Sequence, residues 1–115
     1  MPTEIRHIIF TGDEVIRALV EYHKRSGNPL PPGAVIRCQY ESLPDLCCLL
    51  HLALDADGSR QVFRVERAPL AAALIFFCIH NRIPLPTRAT KQIQLLNEQL
   101  ALVITRTPAN DRPQR

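Results

Sequence analysis

Cys47, Cys48 and His51 fall within one short stretch, "DLCCLLH". Thiolates and imidazoles are the common ligands of zinc, which draws its donors in to about 2.0–2.3 Å. Directly after them, Asp55, Asp57, Ser59, Gln61 and Glu66 occupy positions 1, 3, 5, 7 and 12 of a calcium-loop pattern. Nothing else in the chain is as suggestive of chemistry, and both readings depend on which element carries the residues.

The segment 46–54, "LCCLLHLAL", has the composition of a strand, and "DADGS" that of the turn after it. On a strand, side chains alternate between faces and rise about 3.3 Å per residue. Cys47 and His51 then share a face but stand about 13 Å apart, and Cys48 points the other way. No second CxxC or HxxxH supplies the remaining ligands. The calcium pattern fails at position 6, where the sharp turn requires glycine and Arg60 stands instead. Strands flank it in place of helices, and Glu66 cannot curl back to Asp55. The expectation is no metal and no cofactor, with small buried thiols and a polar hairpin turn.

Other catalytic patterns are missing. The sequence has no nucleophile elbow, phosphate loop, dinucleotide fingerprint or HExxH, and its four glycines do not cluster. Cys78 and His80 lie two apart on an expected helix and point in different directions. Burial in the apolar run would also make Cys78 inert. His7, His23 and His80 are scattered, although the last two sit near expected helix ends, where positive charge is favourable. No enzyme is expected.

The remaining chemistry is cationic. Net charge is +3, with twelve arginines and two lysines. Lys24, Arg25, Arg82, Arg88 and Lys91 lie at or just after the two expected helix ends and could form a paired phosphate-binding surface. The bland alternative is a solvated helix end whose charges complement the dipole. Base-stacking aromatics are scarce, with no Trp, two Tyr and four Phe.

The elements around these residues read as follows. Strand 5–10 is followed by a capping box, Thr11 with Glu14, and a helix to about Arg25 with Val15, Ile16, Leu19, Val20 and Tyr22 or His23 on its apolar stripe. Gly27 stops it. Strand 34–41 carries Ile36, Cys38 and Tyr40 on one face. Strand 60–66 returns from the turn. Pro69 suits the first turn of a second helix, whose residues 70–79 are apolar on every side and need cover from the sheet and from the first helix or a second subunit. Residues 91–105 fit a helix or a hairpin by composition.

A repeat separates those two. "ALVEYHKRSGNPLP", 18–31, and "ALIFFCIHNRIPLP", 73–86, match at an offset of 55 residues. Applied to the whole chain, the offset makes each half strand, helix, Pro-Leu-Pro, strand, strand, and residues 91–105 a hairpin. The expected fold is α+β: a mainly antiparallel sheet of about six short strands with two helices on one face, duplicated over halves 5–54 and 60–105 of one domain, 1–106. Residues 107–115, polar and proline-bearing, read as a disordered tail. The longest apolar run, 69–79, is too short to span a bilayer, and no secretory signal opens the chain. By elimination the expectation is a small cytosolic, non-enzymatic module that binds a protein partner or itself. Its rivals are a nucleic-acid-binding regulator and a small-ligand binder or enzyme with a site between the halves.

Overall fold

The computed structural model describes residues 2–107. In chain order it contains β1 (Glu4–Phe10), α1 (Gly12–Arg25), β2 (Gly33–Glu41), β3 (Cys47–Leu54), β4 (Arg60–Val65), α2 (Arg67–His80), β5 (Thr90–Leu96) and β6 (Gln99–Arg106). The fold is α+β, with two helices and six antiparallel strands. The strands divide between two sheets, ordered β1-β6-β5 and β2-β3-β4. Each half therefore builds a hairpin, β2–β3 or β5–β6, and lends its first strand to the other half's hairpin. Strand alternation dictates which face each residue uses but not which hairpin a distant strand will join.

α1 and α2 coincide under the 55-residue offset, Gly12–Arg25 with Arg67–His80. The hairpins correspond less closely: residues 42–46 connect β2 to β3, whereas only Asn97 and Glu98 connect β5 to β6. Equivalent element order does not in itself show that one half was copied from the other. The tail expected for 107–115 falls, from residue 108 onward, outside the described residues.

α1 begins where its sequence dictates. Thr11 Oγ1 accepts from the Glu14 amide at 3.2 Å, and Glu14 Oε1 accepts from the Thr11 amide at 2.9 Å. Two orphan donors of the first turn are thereby satisfied. Thr11→Ala should cost about 1 kcal/mol, read as a lower urea midpoint with an unchanged slope; no change would mean that water replaces the cap without loss. Val15, Ala18, Leu19 and His23 form the buried stripe. Val20, expected on that stripe, is 39% exposed, because it lies beyond the arc that the sheets cover. His23 is buried, its Nδ1 at 2.8 Å from the Leu19 carbonyl and its ring edge-on to Tyr22 and Phe63.

Leu70, Ala73, Leu74, Phe77 and Cys78 of α2 are buried. They meet Phe10, Ile93, Leu100, Leu102 and Ile104 from one sheet and Cys48, Leu50 and Val65 from the other in one continuous cluster, to which α1 adds Val15, Ala18 and Leu19. This is why α2 is apolar almost all round: it contacts α1 and both sheets. Its outer side is only partly covered. Ile79 is 65% exposed, and Ile75 and Phe76 are half-buried.

Candidate functional site: the groove between the helices

Residues 47–54 form a strand, and the two chemical readings of that region follow from it. Cys48 pairs opposite Tyr40 and Val65 on the core side of its sheet, while His51 pairs opposite Arg37 and Val62. His51 Nε2 lies 3.1 Å from Gln39 Oε1 and 3.4 Å from Arg37. Among the described residues no group of three His, Cys, Asp or Glu side chains is placed to hold a metal ion. At the turn, Asp57 Oδ1 accepts from the Ser59 amide at 2.9 Å, and Gly58 takes a φ of 71°. Those Ser59 hydrogen bonds hold the Asp57 carboxyl below its usual range. Glu66 sits at the start of α2, paired with Arg64 at 2.7 Å.

The expected cationic residues are dispersed. Arg25 is engaged by Glu21 at 3.1 Å, and its guanidinium lies 5.5 Å from the centre of the Phe76 ring. Arg82 follows α2 with a φ of 58°. Arg88 lines a recess with Arg6, Arg106 and residues 84–87. Lys91 donates to the Ala89 carbonyl at 3.2 Å and lines a different recess with Asp45, Glu66 and Arg67. Lys24 is exposed at the end of α1.

A better-formed site lies where α1 meets α2. Arg17, Ala18 and Glu21 of α1 and Phe76, Phe77, His80 and Asn81 of α2 and its cap enclose a recess of about 300 Å³. Phe76 and His80 stack, 5.8 Å between centres and 11° between planes. With Arg25 over Phe76, they make a column of cation, phenyl and imidazole. Asn81 Nδ2 donates to the Phe77 carbonyl at 2.8 Å, which holds the amide at the mouth. Arg17 and Glu21 present opposite charges one helical turn apart. Chemically, the recess offers an apolar, aromatic floor with a mixed-charge rim: features of binding, with no nucleophile and base in contact.

The i, i+4 spacings Arg17–Glu21, Glu21–Arg25 and Phe76–His80 are the sequence signal for this site. Of these residues only Arg25 belongs to the basic cluster expected at the helix ends. No family model, no curated protein and no solved structure matches the chain.

Proposed function

We propose that the chain is a non-enzymatic binding module that pairs with a second copy of itself through the α1–α2 face. The observation that carries this reading is the pattern on that face. Arg17 and Glu21 supply opposite charges on the rim of the recess, and the two helices that form it also carry the exposed apolar residues Val20 and Ile79. In a two-fold interface, residue i meets residue j and j meets i. Arg17 of each copy would meet Glu21 of the other, while Ile79, Val20 and Phe76 fill the centre. A face carrying only one sign of charge could not satisfy itself in this way. The reading suits a cytosolic protein.

Ile79→Glu places a charge in the apolar centre. It should weaken association at least about tenfold, measured by light scattering over a concentration series. Its unfolding midpoint should hold within about 0.5 kcal/mol, because Ile79 adds little to the monomer core. A wild-type chain that stays monomeric at the highest concentration would remove the proposal.

The dimensions of the recess favour a second reading, a small ligand lying between the halves, since about 300 Å³ is at the lower end of ligand pockets. A planar aromatic anion would suit the Phe76 floor and the Arg17 rim. Thermal-shift screening with aromatic carboxylates tests it, and a flat response removes it. Nucleic acid would need Lys24, Arg25, Arg82, Arg88 and Lys91 on one surface. With Arg25 engaged by Glu21 and Phe76, and Arg88 and Lys91 on separate recesses, we expect no salt-sensitive retention of mixed DNA or RNA. Retention that falls steeply with salt would favour the nucleic-acid role.

A further inference from the structure

β2 and β3 pair with Cys38 opposite Leu50 and Tyr40 opposite Cys48. Cys38 and Cys48 are therefore diagonal neighbours on the core-facing side of one hairpin. Their sulfurs are 3.0 Å apart, and both are free thiols. The two differ in access: Cys38 is partly exposed, whereas Cys48 is fully buried. Tyr40 packs beside them, its hydroxyl buried and without a well-formed hydrogen bond. Cys47 and Cys78 are also buried free thiols.

We infer that Cys38 and Cys48 are a reversible redox site, with Cys38 attacking a hydroperoxide and Cys48 resolving the product into a cross-strand disulfide. Attack requires a thiolate within reach of solvent. Cys38 is the more accessible of the pair. The hydrogen bond from Cys48 holds its thiol below the usual range, against the opposing effect of burial, and the nearby Tyr40 hydroxyl acts in the same direction. Cys48 is pushed the other way, first by that same hydrogen bond and then by burial. It is the poorer nucleophile of the two toward peroxide, and it loses its proton only when it meets the oxidised Cys38. Burial likewise raises Cys78.

The steps balance. The Cys38 thiolate attacks one peroxide oxygen, the O–O bond breaks, and hydroxide or alkoxide leaves, giving a sulfenic acid at Cys38. The Cys48 sulfur then attacks the Cys38 sulfur. Its proton joins the departing hydroxyl as water, and the disulfide forms. Each sulfur has lost one electron, and the two peroxide oxygens have gained the pair. Diagonal partners across antiparallel strands stand further apart than directly opposed ones, so closure pulls the hairpin from its resting geometry. A bond of that kind is readily reduced, which makes the site a switch in place of a permanent staple.

The test uses the whole chain and hydrogen peroxide. After brief treatment and quenching, the intact mass should fall by two hydrogens, and dithiothreitol should restore it. Cleavage after Tyr40 or Glu41 should leave the piece bearing Cys38 tied to the piece bearing Cys48. The tie should survive in Cys47→Ser and vanish in Cys38→Ser. Cys48→Ser should instead accumulate a sulfenic acid at Cys38 that a dimedone-type reagent captures. If Cys48→Ser does not fold, the wild-type and Cys47→Ser maps decide alone. Oxidation that falls first on Cys47 or Cys78, or a Cys38 that goes to sulfinic acid with Cys48 still free, would overturn the assignment. Association through the α1–α2 face is read separately and can fail without affecting this result.

Discussion

Phe10→Ala should remove about 3–5 kcal/mol of stability, a third or more of what a domain of this size ordinarily possesses. Phe10 ends β1, opposite Leu100, and is 2% exposed. Its ring meets Phe77 edge-on, 5.8 Å between centres and 76° between planes. Such aromatic pairs add about 0.5–1.5 kcal/mol to area burial alone. Phe10 also precedes the Thr11 cap, and Val15 holds the fourth helical position, so the two occupy the staple positions that fix how a chain enters a helix. One truncation thus loosens β1 against β6, α1 at its start and α2 near its C-terminal end. Urea unfolding followed by circular dichroism would show the midpoint fall. A loss below about 1 kcal/mol would mean that the surroundings collapse into the space at little cost.

Leu74→Ala should cost about 2–5 kcal/mol. Leu74 is fully buried at the middle of α2, in the cluster that both sheets share. Because that cluster includes residues of every helix and both sheets, the variant should still unfold in a single transition. The Tyr fluorescence and far-ultraviolet signals should move together to a lower midpoint. Two separated transitions would mean that the sheets hold independent cores, contrary to the packing described here. Ile79, one turn further along the same helix but exposed, provides the internal contrast: its truncation to alanine should barely move either signal.

The parts of the fold that were legible from sequence are those set by local chemistry. Thr11 and Glu14 mark the start of α1, Gly27 its end, and alternation marks β2 from Arg37 onward; an irregularity between Val35 and Arg37 leaves Ile36, expected on the face of Cys38 and Tyr40, 49% exposed. The β3–β4 turn is announced by Asp57 and Gly58. The β5–β6 hairpin was harder, because its turn is Asn97-Glu98, with φ of 50° and 65°. Hairpin turns of that conformation favour glycine at the second position, and a glutamate there hides the signal; the offset repeat supplied it. The division into two sheets was not legible. β1 and β4 choose their partners through contacts distant in sequence, and their alternation would suit either hairpin equally. The sulfur contact needed the register as well as the strands: only once Tyr40 stands opposite Cys48 does Cys38 become its diagonal neighbour. The basic residues were visible as charges, but the hold of Glu21 and Phe76 on Arg25 depends on how α1 lies against α2.

The central functional claim is that the α1–α2 face pairs with itself, Arg17 of one copy against Glu21 of the other. Sedimentation equilibrium of four chains tests it most directly: wild type, Arg17→Glu, Glu21→Arg and the double exchange. Each single change should set like charges against each other and weaken the dimer, and the double exchange should restore it, because the opposed signs return. Equal association by all four chains, or a double exchange no tighter than the singles, would contradict the claim.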